Sequence, residues 1–175
     1  MANASSPLRP SLRSRLTKSL KGAQRIVVLA VGSSLRGDDE AGLLVGRKLL
    51  NRSWPAEPSM HVLFGETAPE NLTGEIRSHN PTHLLVIDAI DESEAGSSIA
   101  VLELPEAEAV IAGTSFSTHI LPLTVMLRYV RDSMDCRTIV LGIPIGSATF
   151  GARPSTQVRA LAGRVAQAIG QAVGG

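Results

Sequence analysis

Apolar positions along the chain alternate between uninterrupted runs and stripes spaced three or four apart. Arg25–Val31 (RIVVLAV), Thr82–Asp88 (THLLVID) and Thr138–Ile143 are continuous apolar runs rich in β-branched residues. Runs of this length predict strands covered on both faces. His61–Gly65 predicts a shorter strand, and Ser97–Leu104, which alternates more weakly, an edge strand. Between the runs the period lengthens. Asp38–Leu50 carries Ala41, Leu44, Val45 and Leu49 at helical spacing, with Asp38, Asp39 and Glu40 where a helix start favours acids. Pro69–Ser78 predicts another helix. Ser117–Thr118 can cap a further one from about His119 to Arg131, with Pro122 tolerated in its first turn. Pro154–Ala172 is the last, with Val158, Leu161, Val165 and Ile169 on one stripe.

Strand and helix signals that alternate this way predict an α/β fold. It is three-layered, an open, mostly parallel twisted sheet of about five strands with helices on both faces. Sites in such sheets lie beyond the carboxyl ends of the strands. Residues 25–175 form this single domain.

Residues 1–24 differ from the rest. Leu8, Leu12, Leu16 and Leu20 fall four apart, and Gly22 follows as a helix stop. The segment carries five basic residues and no acid, which leaves residues 25–175 with a net charge of −4 beneath an overall +1. An Arg-rich, acid-poor start also fits an organellar transit peptide. The helix stop favours a short helix after a frayed start, laying its leucines on the body.

Composition narrows the function. Of 175 residues, 43% are hydrophobic, enough for a buried core, but only 3% are aromatic. Base-stacking nucleic-acid binders need aromatic platforms, so no nucleic-acid partner is expected. No apolar run approaches the ~20 residues of a membrane span, and no apolar stretch of a secretory signal opens the chain. Neither membrane insertion nor export is expected, which predicts a cytoplasmic protein. One cysteine, Cys136, excludes an internal disulfide and any site built from several thiolates.

The polar residues that follow the strands carry the chemistry. Gly32 to Glu40 (GSSLRGDDE) sits between a strand and a helix, like a phosphate loop. A phosphate loop needs Lys where this chain has Asp38. Three successive carboxylates repel phosphate and suit a cation. Asp88 closes an apolar strand, and His119 stands at a helix start, where the positive helix end favours a neutral ring. Asp39, Asp88 and His119 thus fall on one rim. Two carboxylates and an imidazole admit zinc, nickel, manganese or iron(II). Each also has an ordinary explanation: the acids as helix caps, Asp88 as a turn former, His119 as a cap or surface residue. His79 and His83 are four apart, but Pro81 between them breaks a helix. His61 has no evident partner, and Cys136 reads as an idle thiol. No Gly-x-Ser-x-Gly elbow is present.

Four blocks join these pieces. Val31 to Gly42 (VGSSLRGDDEAG) closely resembles the opening motif of the nickel–iron hydrogenase maturation endopeptidases. Gly65 to Asn71 (GETAPEN) looks like the second-strand motif of their formate-hydrogenlyase-type branch. Leu84–Ala89 and Ser117–Leu123 match two further family blocks in the same order, and Phe150-Gly151 with Ser155–Val158 resembles the last-helix region. The resemblance spans roughly residues 25 to 172. It departs at Ser33 (usually Asn), Glu40 (usually Gly) and Pro144-Ile145 (often Gln-Pro).

The resemblance implies an endopeptidase that removes the C-terminal extension of a hydrogenase large-subunit precursor after nickel insertion. Its metal-contacting positions map onto Asp39, Asp88 and His119. With the scissile peptide docked beside them, Asp39 and Asp88 are the expected catalytic acids, and Gly37 and Asp38 are expected to support the loop. The metal would be nickel carried by the precursor, and another divalent ion can occupy the site in vitro. A monomer is implied. The other reading is a non-proteolytic, metal-dependent recognition or chaperone module for the same precursor.

Overall fold

The computed structural model describes residues 10–95, 98–104, 106, 107 and 120–174. Five strands form one sheet: β1 (Arg25–Val31), β2 (Ser59–Glu66), β3 (His83–Asp91), β4 (Ala100–Glu103) and β5 (Arg137–Ile145). Their order is β2-β1-β3-β5-β4. The first four neighbours run parallel, and β4 lies antiparallel on the edge of β5. The helices are α1 (Leu12–Ser19), α2 (Ala41–Leu50), α3 (Thr73–Ser78), α4 (Glu92–Ala95), α5 (Ile120–Ser133) and α6 (Thr156–Val173). Short 3-10 turns at Gly37–Glu40 and Pro69–Leu72 precede α2 and α3.

The period of two in each strand divides the core. Ile26 and Val28 of β1, Leu85 and Ile87 of β3, and Ile139, Leu141 and Ile143 of β5 face α1, α2 and α6. Val27, Leu29, Leu84, Val86 and Val140 face the other way, onto Ile76 of α3 and Leu123, Met126, Leu127 and Val130 of α5. Apolar residues on both strand faces therefore require helices on both faces, which is the predicted three-layer α/β sheet.

Element bounds shift where hydrogen bonds outrun hydropathy. The strand expected to end at Asp88 continues to Asp91, because β5 pairs with it that far. Pairing with β1 stops earlier, at Ala30 opposite Ile87. The helix expected from Asp38 starts with a 3-10 turn and becomes α-helical only at Ala41. The edge strand shrinks to Ala100–Glu103.

Helix α1 is capped by Ser11, whose hydroxyl accepts the Ser14 N–H at 3.2 Å. Leu16 and Leu20 are buried among α6 and the sheet, while Leu8 lies outside the described residues. Each buried leucine contributes roughly 1.5–3 kcal/mol. The Arg15 guanidinium donates to the Ile99 and Val101 carbonyls, both at 3.2 Å, and so closes part of the outer edge of the sheet. No described helix is long and apolar enough to cross a membrane.

Candidate active site

The rim begins where β1 gives way to its loop. Gly32 adopts φ +139°, and its N–H donates to the Glu66 carbonyl at 2.9 Å. A Cβ there would lie 2.1 Å from the Asp39 carbonyl oxygen. Only glycine lets the loop fold back this tightly. The Ser33 N–H donates to that same oxygen at 3.2 Å, and the Asp39 N–H to Arg36 O at 3.2 Å. The Asp39 backbone is thus fixed from both sides, and its residue is 1% exposed.

Two residues after Glu40, α2 rests directly on the strand ends. A Cβ on Gly42 would meet the Val31 and Ile87 carbonyl oxygens at 2.2 and 2.3 Å. Asp88 follows Ile87 and is fully buried. Its Oδ1 accepts the Ala89 N–H at 2.8 Å. The 3-10 turn that carries Asp39 also packs on β3. Asp39 and Asp88 are therefore brought to one junction, although 49 positions separate them in the sequence. By strand alternation Asp88 shares the sheet face of Val86 and Ile90, the face that α5 covers.

The neighbouring acids do different work. Asp38 Oδ1 accepts the Ser155 N–H at 2.6 Å, tying the loop to the start of α6, where Ser155 Oγ in turn accepts the Val158 N–H. Gly37, at φ +56°, packs on Ala152 and Thr149 of the loop after β5. Glu40 is nearly buried and pairs with Arg47 one helical stretch later. A residue that departs from the family pattern has thus gained a counter-ion. His119 lies outside the described residues; α5 begins at the next position, with Pro122 in its first turn. Among the described residues, no group of three His, Cys, Asp or Glu side chains is placed to hold a metal ion.

The other candidates fall elsewhere. His61 does have a partner: its ring stacks on His79, with centroids 4.1 Å apart. His83 opens β3 at the amino end of the sheet, and burial followed by the nearby Arg137 charge lowers its pKa. Burial pushes the Cys136 thiol up, away from a reactive thiolate. Glu66 supports the rim through its carbonyl, from a left-handed φ of +47°. Neither that bond nor the Ser155 contact to Asp38 has a sequence signal, since partners 34 and 117 positions apart share no spacing rule.

Comparison with known proteins agrees with this architecture. The family described as hydrogenase maturation protease matches residues 44–172. Hydrogenase 3 maturation protease of Escherichia coli K12 is 33% identical over 119 residues, covering 67% of this chain and 70% of that protein. The crystal structure of the NiFe hydrogenase maturation protease HycI from Thermococcus kodakarensis KOD1 superposes with a TM-score of 0.77 at 25% identity, covering 92% of this chain and 99% of that one. The hydrogenase maturating endopeptidase HybD from E. coli superposes with a TM-score of 0.69 at 26% identity, covering 84% and 88%.

Proposed function

This chain belongs to the hydrogenase maturation protease family, and on that premise we propose that it removes the C-terminal extension of a nickel–iron hydrogenase large-subunit precursor once nickel is in place. The observation that carries the reading is the pair of buried acids, Asp39 and Asp88, at the junction of β1, β3 and the 3-10 turn. Burying a carboxylate costs several kcal/mol, and two at one junction support the reading of this rim as the reacting site.

In this reading the nickel is part of the substrate, held by the precursor. Asp39, Asp88 and His119 touch it and so admit only loaded precursor. Two carboxylates and an imidazole suit such a borderline divalent ion. Docking places the scissile peptide beside the acids. One carboxylate takes a proton from water as the water oxygen bonds to the peptide carbonyl carbon. That proton then passes to the leaving amide nitrogen as the C–N bond breaks. Asp38 and Gly37 hold the loop rather than react. The protein works as a cytoplasmic monomer in this scheme, and another divalent ion can enter the site in vitro.

Intact-mass analysis of the precursor, nickel-loaded and nickel-free, tests the proposal. Cleavage of the loaded form alone is expected. Binding of the loaded form with no mass change would replace the endopeptidase with a recognition module. Equal cleavage of both forms would remove nickel as the admitting signal.

A further inference from the structure

The loop that carries Asp39 also carries Leu35, 62% exposed, and the loop after β5 carries Phe150, 73% exposed. Hydrogen bonds join these loops. The Gly151 N–H donates to Leu35 O at 2.8 Å, and the Ser155 N–H to Asp38 at 2.6 Å. Gly37 packs between them, against Thr149 and Ala152. Two large apolar side chains are thus presented to solvent by pinned backbone, four positions and one loop away from Asp39. Between Leu35 and Gly37 stands Arg36, whose Nε is buried with no hydrogen-bond partner. Such a donor leaves its desolvation cost unrecovered until an acceptor arrives.

We propose that Leu35, Arg36 and Phe150 form the docking surface for the precursor segment that is cut. Leu35 and Phe150 cover an apolar side chain of that segment, and Arg36 Nε donates to one of its backbone carbonyls. The inference rests on the endopeptidase reading above. An extended polypeptide offers both features together, an apolar side chain and an unpaired carbonyl beside it. A free metal ion would use neither. Leu35 and Arg36 precede Asp39 in the same loop, so a chain seated on them lies beside the segment that carries that acid.

Steady-state cleavage of the nickel-loaded precursor, with complex formation measured in parallel, tests this. Leu35→Ala and Phe150→Ala are expected to raise KM about tenfold each, leaving kcat within about twofold. Arg36→Met raises KM and Arg36→Lys restores part of the loss. Melting temperatures of Leu35→Ala and Phe150→Ala stay at the wild-type value, because those side chains are exposed. A KM within about twofold of wild type in all variants overturns the docking surface while the endopeptidase reading stands. A melting temperature lowered by several degrees shows that this chain's own residues cover the patch, and also overturns it. So does a wild-type dimer that the variants dissolve. Weaker variant binding with no cleavage by wild type keeps the surface and sinks the endopeptidase reading. Absence of wild-type binding overturns the surface.

Discussion

The two ends of the sheet handle carboxylates in opposite ways. At the amino end, Glu103 of β4 keeps its side chain 35% exposed and grips Arg137 of β5 through both oxygens, at 2.9 and 2.8 Å. The Ser19 hydroxyl of α1 donates to it as well, at 2.6 Å. At the carboxyl rim, Asp39 and Asp88 are 1% and 0% exposed, and the Asp88 oxygen accepts a neighbouring backbone N–H. A half-exposed, paired carboxylate stabilises by about 0.2–1 kcal/mol and is replaceable. A buried one carries a larger desolvation cost, which its hydrogen bonds have to offset. The contrast separates charges that hold the fold from charges that the fold holds.

The sharpest way to break this contrast is to remove the rim charges without changing their shape. Asp39→Asn and Asp88→Asn should each cut precursor cleavage by about 10²–10⁴, the range for losing a general acid–base group. Both should remain folded, with melting temperatures near wild type. Far-ultraviolet circular dichroism beside the mass assay decides it: collapse of the fold in either variant would make that acid structural. Gly32→Ala comes next. Its Cβ would collide with the Asp39 carbonyl at 2.1 Å, and φ +139° disfavours any side chain. A loss of about 1–3 kcal/mol in urea unfolding is expected, together with slower cleavage. Wild-type stability would mean the turn adjusts freely, and that the rim is not rigidly preset.

The rim was more legible than its wiring. Continuous apolar strands already required helices on both faces, and acids after β1 and at the expected end of β3 already pointed to the rim. Hydropathy could not divide labour among Asp38, Asp39 and Glu40. Adjacent acids in a 3-10 turn point in three directions, and their partners come from remote chain: the Ser155 N–H for Asp38, Arg47 for Glu40. Nor could it show that β3 passes Asp88 by three residues, since that length depends on β5. The exposure of Leu35 and Phe150 was equally hidden, because an apolar residue in a loop reads the same whether covered or bare. Asp38 tests this division at smaller scale. Asp38→Ala removes the acceptor for the Ser155 N–H and should cost about 1 kcal/mol, slowing cleavage far less than Asp39→Asn. A loss as deep as that of Asp39→Asn would place Asp38 among the reacting groups.

The smallest effect belongs to the amino end. Burial pushes the Glu103 carboxyl upward, but the Ser19 hydroxyl, the Arg137 hydrogen bonds and the Arg137 and Lys18 charges outweigh it and hold the pKa below its ordinary 4.5. A folded-state value below the unfolded one stabilises the native state above pH 4.5, and that contribution fades as pH falls through the lower folded value. Glu103→Gln should therefore cost about 0.2–1 kcal/mol at pH 7, discounted for the exposure of the pair. The difference from wild type should shrink as the medium is acidified below pH 4.5, while cleavage at pH 7 is untouched. Paired thermal melts at pH 7 and under acid conditions read the first part, and the mass assay the second. A variant that melts like wild type at pH 7 would leave the Glu103–Arg137 pair contributing nothing. One that loses cleavage would couple the two ends of the sheet, contrary to the separation drawn between them.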